Sequence, residues 1–218
     1  MSSTAQKSLS LVERNFLGYR RAWWLFLSGL LEPFFYLAGI GFGVGSLIGS
    51  VGGHSVPYPV FVAPGLMAVA AMNGALYDCT FSLLFKIKYV RIYDAILNTP
   101  ISPREIILGE VVWALIRGAV YSAAFLVAME ILRLTPSPWA WLNLLAVVLI
   151  GFTFAAGGSA VTTFLDSWQE FGAIGLVMSI LFLFSGTIFP ISIYPPPLRL
   201  IVELSPLTRG VDLLRSLN

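Results

Sequence analysis

Five long, mostly apolar stretches constrain this chain more than any other feature of its sequence. They run over Trp23–Val44, Val60–Phe85, Ile106–Leu132, Trp139–Leu165 and Phe171–Pro190. Crossing a hydrocarbon core takes roughly 20 such residues in a helix, and each stretch meets that length. None alternates polar and apolar residues as a membrane strand does, so all five read as helices and not as a barrel. The charge balance agrees. Only 11% of the 218 residues are charged, whereas soluble domains carry about 25%. Trp23, Trp24, Trp139 and Trp141 stand at stretch ends, where amphipathic rings prefer the membrane interface. The expected fold class is an all-α membrane protein, a polytopic helical bundle forming a single domain over 1–218.

The first stretch follows a basic N-terminus, as a secretory signal would. It is too long for a cleaved apolar region, and no A-x-A site follows it, so it reads as a retained span. Orientation comes from the basic residues. With the N-terminus inside, the inner side holds eight (Lys7, Arg14, Arg20, Arg21, Lys86, Lys88, Arg91 and Arg104) and the outer side four (Arg133, Arg199, Arg209 and Arg215). Residues 45–59 contain neither Lys nor Arg. The chain is therefore expected in a cell (inner or plasma) membrane with its N-terminus cytoplasmic. The net charge of +2 is too small to argue for a nucleic-acid partner. Cys79 and His54 are each the only residue of their type, so neither a disulfide nor a Cys/His metal site is expected within the chain.

Before the first span, "KSLSLVERNFLGYRR" places Leu9, Val12, Phe16 and Tyr19 near one helical face, with Glu13, Arg14, Arg20 and Arg21 elsewhere. That pattern predicts an amphipathic helix over about 7–21, lying in the inner interface. A plain basic tail that only sets orientation is the alternative.

The most polar interruption lies between the second and third spans. Lys86, Lys88 and Arg91 are expected to face anionic lipid heads. "IYDAILNT" has room for about two helical turns, and Pro100 stops it, because proline disfavours helix in the residue before it. Ser102 then suits an N-cap, Pro103 the first helical position and Glu105 the capping-box position. An orderly connection between spans explains the caps. It does not explain Ile96 and Leu97, which are apolar and sit before the break; a docking surface does.

These residues also carry a resemblance. "DAILNTPISPREIILGE" at 94–110 resembles the cytoplasmic loop of the ABC-2 type permeases, the membrane subunits of ATP-binding-cassette exporters. "LLEPFFYLAGIGFGVG" at 30–45, "FVAPGLMAVAAMNGALYD" at 61–78 and "LFSGTIFPISIYPPPLRLIVELSPLTRGVDLLRSL" at 183–217 fit the same family in the same order. Within it, the chain is most similar to permeases of nodulation-type lipo-oligosaccharide exporters, with antibiotic-exporter permeases as cousins. The resemblance implies a type V-like exporter bundle with six spans, the sixth expected beyond residue 218. It implies that Tyr93, Asp94, Ala95, Ile96, Leu97, Asn98 and Thr99 form a coupling helix that docks into a separate ABC ATPase. Two ATPase copies, a second permease copy and an amphipathic substrate (a lipid-linked saccharide or a hydrophobic drug) are the implied partners. After Pro190 the family has re-entrant outer helices. No G-x-x-x-x-G-K-[ST] occurs, so ATP and Mg belong on the partner and no cofactor is expected on this chain.

Glu32, Asp78, Glu110, Arg117 and Glu130 lie within or at the ends of spans. Such residues cost roughly 2.5–3.5 kcal/mol at a helix centre, so they face protein or water. Glu110 and Arg117 are two helical turns apart on one face. They pair with neighbouring helices, line an entrance, or snorkel to the interface. Gly39, Gly41, Gly43 and Gly45 overlap as G-x-x-x-G patterns, which suit close helix packing or a plain helix exit. Gly157, Gly158 and Ser159 allow close approach in the fourth span. In the tail, Leu198, Ile201, Val202 and Leu204 are expected to cover one side of a short helix, and Pro206 to break it. A rival reading is a proton-coupled secondary transporter using Glu32, Asp78, Glu110 and Glu130. An intramembrane enzyme is disfavoured, since no Ser/His/Asp or Cys/His set is available.

The charge asymmetry predicts opposite sides for the first two loops. In a Cys79→Ser background, Ser55→Cys should react with an impermeant maleimide added to intact cells, and Lys88→Cys only after permeabilisation. Labelling of Lys88→Cys from outside overturns the orientation.

Overall fold

The computed structural model describes residues 4–21, 31, 34–48 and 56–218. Their regular elements are helices: α1 (Thr4–Arg21), α2 (Phe34–Leu47), α3 (Tyr58–Tyr89), α4 (Ile92–Leu97), α5 (Pro103–Ile131), α6 (Ala140–Thr162), α7 (Phe171–Phe184), α8 (Pro196–Leu204) and α9 (Pro206–Leu217). No strand occurs among the described residues. The helices α3, α5 and α6 are long and apolar enough to cross a membrane, and α2 and α7 are shorter apolar helices. Residues 23–30, 32 and 33 of the first expected span, with Trp23, Trp24 and Glu32, lie outside the described residues.

The bundle is built around α3, which packs against α2, α5, α6 and α9. Its buried residues include Val62, Ala63, Pro64, Gly65, Leu66, Met67 and Ala68 in succession, so it is covered on all sides there. Phe125 and Met129 from α5, Val147 and Phe154 from α6, and Leu207, Val211 and Leu214 from α9 complete the core. The outward faces of α6 and α7 stay apolar, with Leu145, Leu149, Phe152, Leu176 and Ile180 exposed, as lipid requires. Lipid tails are as apolar as leucine, so helix association in such a bundle rests on fit and on hydrogen bonds between helices. At the α3–α6 seam, a Cβ on Gly158 would come within 3.1 Å of the Thr80 side chain. The Thr162 hydroxyl donates across the same seam to the Cys79 carbonyl at 2.8 Å.

Two expectations change, and the glycine cluster is resolved. The fifth apolar stretch is helical only to Phe184, because Ser185 leads into Gly186, whose φ of +76° turns the chain back. Its 14 residues reach about 21 Å, short of the hydrocarbon thickness. In the tail, α8 buries Val202 alone, while Ile201 and Leu204 are exposed. The packed stripe is instead Leu207, Val211 and Leu214 on α9, spaced one and two turns apart. Of the four clustered glycines, Gly41 and Gly45 face Pro59 and Tyr58 at the start of α3, within this chain, whereas Gly39 faces open space.

Arg215 closes the α8–α9 end. Its Nε donates to the Phe61 carbonyl at 3.1 Å, and its Nη2 donates to the Gly186 and Thr187 carbonyls at 2.8 and 3.1 Å. The guanidinium also lies 3.7 Å from the Phe61 ring centroid. Burial pushes its pKa down to about 10, so it stays charged at neutral pH. Replacing it with leucine strands three carbonyls around the turn. Arg215→Leu should cost about 2–4 kcal/mol, read as a lower unfolding midpoint in detergent. Arg199→Leu on the exposed side of α8 should change it by no more than about 0.5 kcal/mol.

Candidate functional site

The end of the bundle formed by α4 and the first turns of α5 concentrates its buried charge. The chain leaves α3 through Arg91, held at a positive φ of 53°, and turns at once into α4. The caps act as their sequence predicts. Ser102 N donates to Glu105 Oε2 at 2.7 Å, and Glu105 N donates to Ser102 Oγ at 3.4 Å, so α5 starts from a closed capping box. At the other side of the break, Thr99 N and Oγ1 both donate to the Ile96 carbonyl, and Asn98 Nδ2 donates to the Asp94 carbonyl. Those bonds satisfy carbonyls that a helix end leaves open.

Beneath α4 sits Glu110, 4% exposed. Its carboxylate accepts four hydrogen bonds from three other elements. Arg14 Nη2 donates at 2.9 Å and Asn15 Nδ2 at 3.0 Å, both from α1. Lys86 Nζ donates at 2.6 Å from the end of α3, and Tyr93 Oη at 2.7 Å from α4. Burial and the adjacent carboxylate push the Tyr93 phenol up, so it keeps its proton and remains a donor. The Arg14 guanidinium lies 5.7 Å from the Tyr93 ring centroid. Around this polar centre, Leu11, Leu83, Tyr93 and Ile106 form a small apolar cluster against which Ile96 and Ile101 pack.

A second pair lies deeper. Arg117 on α5 pairs with Asp78 on α3, and its Nη1 donates to Tyr19 Oη at 2.7 Å. Asp78 and Lys86 are eight residues apart on α3, while their partners Arg117 and Glu110 are seven apart on the antiparallel α5. A regular α3 would carry Lys86 off the shared face. Between them α3 widens into a π-helical turn at Asp78–Ser82, and a second such turn, Phe85–Tyr89, carries Lys86 itself. A π-turn absorbs an additional residue, which restores the match.

The N-terminal helix is laid along α5. Lys7 pairs with Glu105 at 3.5 Å, Ser8 Oγ donates to the Glu105 carbonyl at 3.2 Å, and Leu11 fits against Gly109. The buried stripe on α1 is therefore Ser8, Leu11 and Asn15, next to the predicted apolar face. Leu9 and Phe16 on that face remain exposed, and Val12 and Tyr19 are half-buried.

The expected docking residues fall into two groups. Tyr93 is buried at 5% and Ile96 packs inward, so both hold α4 to the bundle. Asp94, Ala95, Leu97, Asn98 and Thr99 face out, with Leu97 46% exposed. Among the intramembrane polar residues, Asp78, Glu110 and Arg117 come together here, while Glu130 is exposed at the far end of α5. Lys86 and Lys88, expected against lipid heads, bond Glu110 and Asp166 instead. Sequence reasoning missed Arg14 and Asn15, whose only signal was their position one turn beyond Leu11 on α1.

A cavity of about 1050 Å³ opens between α1, α2, α3, α5 and α7, lined among others by Arg14, Tyr36, Asn73, Lys86, Arg117 and Phe182. The two ion-pair sites border it.

Truncating Glu110 leaves two cations behind. Glu110→Ala should destabilise the protein by about 3–5 kcal/mol and expose residues 86–102 to limited proteolysis. Tyr93→Phe removes one donor and should loosen α4 alone, with faster clipping there and a loss of about 1 kcal/mol.

Comparison with known proteins bears on the whole chain. It is 32% identical over 213 residues to Nodulation protein J of Rhizobium leguminosarum bv. trifolii, covering 95% of this chain and 79% of that one. Nodulation protein J of Bradyrhizobium diazoefficiens is 29% identical over 221 residues, covering 99% and 82%. That of Rhizobium meliloti is 28% identical over 213 residues, covering 95% and 79%. The family described as ABC-2 type transporter matches residues 6–217. With apolar helices long enough to cross a membrane and a match across nearly its whole length, the chain belongs to the ABC-2 type transporter family, whose members are membrane permease subunits.

Proposed function

We propose that this chain is the membrane-spanning half of an ATP-driven exporter, and that α4 is where a separate ATPase grips it. One observation carries the reading. The helix α4 turns an apolar and polar face outward while Tyr93 roots its other face in Glu110, which also holds α1 and the end of α3. A push on the exposed face of α4 is transmitted through those bonds to both long helices lining the cavity. In this role ATP and Mg sit on the ATPase, two copies of which serve two permease copies, and this chain hydrolyses nothing. The basic loop is then cytoplasmic, and the α8–α9 end faces the exit.

The cavity and the family resemblance support one substrate class. An amphipathic molecule, a lipid-linked saccharide before a hydrophobic drug, suits a cavity with apolar walls and a polar end. The cavity lies beside α7 and α2, so it opens by movement of those shorter helices against α3. A proton-coupled mechanism gains no support from the site. Asp78 and Glu110 each face a cation, which fits a structural part in the bundle.

Leu97 is the cleanest probe, because it is exposed and bonds nothing in the core. Leu97→Asp should express and fold like the parent protein, yet lose its ATPase. Burying an unpaired carboxylate at an interface costs several kcal/mol, and about 3 kcal/mol weakens association more than a hundredfold. Co-purification with the ATPase and permease-stimulated ATP hydrolysis are the readouts. Leu200→Asp, at the opposite end of the bundle, should leave both intact. Normal association of the Leu97→Asp protein overturns the assignment of α4.

A further inference from the structure

We propose that the cavity beside α3 selects amphiphiles with an anionic head, and that Lys86 and Arg117 read that head. This rests on the reading of the cavity as the substrate's path and adds the sign of the substrate's charge.

The cavity has two unlike ends. Its wall on α3 runs from Leu66 and Val69 past Asn73 to Lys86, a change from apolar to cationic over 20 residues, or about 30 Å of helix. Phe182 from α7, stacked edge-on against Tyr36, adds apolar wall, and Arg117 stands by Asp78, on the Lys86 side of Asn73. No carboxylate is among the described lining residues. Glu110 and Asp78 are buried behind the cations that they bind, so they neutralise part of the charge without presenting any of their own to the cavity. Two carboxylates meet three cations there, the third being Arg14, which leaves a positive excess. Nη1 of Arg14 is buried without a hydrogen-bond partner among the described residues, which leaves a donor unmatched there.

That arrangement discriminates in a definite way. A cationic amphiphile would bring a like charge to an already positive wall, inside a site of reduced dielectric, and would be rejected. A neutral sugar head would hydrogen-bond but gain nothing from the charge. A phosphate, sulfate or carboxylate head would take charge-assisted bonds from guanidinium and ammonium, which are shorter and about twice as strong as neutral ones. The tail would lie along Leu66, Val69 and Phe182.

The test uses the purified permease in phosphatidylcholine nanodiscs, without an ATPase, so that a failure of docking at α4 does not affect it. A reporter cysteine, Ala70→Cys in a Cys79→Ser background, lines the cavity and is labelled with a maleimide. Protection is titrated with dodecyl phosphate, dodecyl maltoside and dodecyltrimethylammonium, which share one tail. Dodecyl phosphate should protect at a concentration at least tenfold lower than either. Lys86→Gln should erase that advantage without changing protection by the maltoside. Since Arg117→Gln alone would strand Asp78, the double variant Asp78→Asn/Arg117→Gln serves as the second probe and should lose the advantage as well. Equal protection by the three heads, an undiminished advantage in both variants, or no protection by any amphiphile overturns the proposal. Inorganic phosphate at the same concentration should not protect; if it does, the cavity reads a free anion and the amphiphile assignment falls.

Discussion

A buried carboxylate is the constraint on which this end of the bundle depends. Taking Glu110 out of water costs several kcal/mol unless charge and hydrogen bonds replace its hydration. The chain supplies them from three elements: Arg14 and Asn15 on α1, Lys86 on α3 and Tyr93 on α4. Each donor is thereby fixed in place. The N-terminal helix cannot lift away, α4 cannot swing out, and the end of α3 cannot rotate without leaving charge uncompensated. In lipid, where apolar contacts hardly favour one helix partner over another, such bonds decide the arrangement.

The same constraint explains the irregular backbone of α3. Asp78 and Lys86 must both face α5, and their spacing exceeds that of Arg117 and Glu110 by one residue. The π-helical turns reconcile the two ladders. They also place Lys86 on the wall of the cavity, so one local distortion serves the ion pairs and shapes the polar end of the binding space. At the opposite end, a single cation does similar work with backbone carbonyls, as Arg215 ties α9 to the Gly186 turn and to α3.

For the proposed coupling role, the division within α4 matters most. A docking helix must be gripped from outside and anchored from inside. Leu97 with its polar neighbours provides the first, and Tyr93 with Ile96 the second. Treating residues 93–99 as one docking set, as the resemblance does, merges these two jobs. The geometry separates them because a six-residue helix has less than two full turns, and its faces meet different surroundings.

The fold class, the helices α3, α5 and α6 to within a few residues, the capping box at Ser102 and the break at Pro100 were all legible in the sequence. They rest on local physics: apolar length, the stiffness of proline, and a side chain's reach to its own backbone. The family was legible too, since its motifs are contiguous stretches. The tertiary structure alone decided which charges meet. Lys86 and Lys88 read equally well as lipid-facing, yet they bond Glu110 and Asp166, because helix rotation and the π-turns set their direction. It also decided that α7 ends at Phe184, at a Ser185–Gly186 turn inside a stretch long enough to read as one span, and that Ser8, Leu11 and Asn15 form the bound face of α1. Apolar patterning says that a helix has a side to hide. In a membrane, lipid hides it as well as protein does, so the choice between them belongs to the assembled bundle.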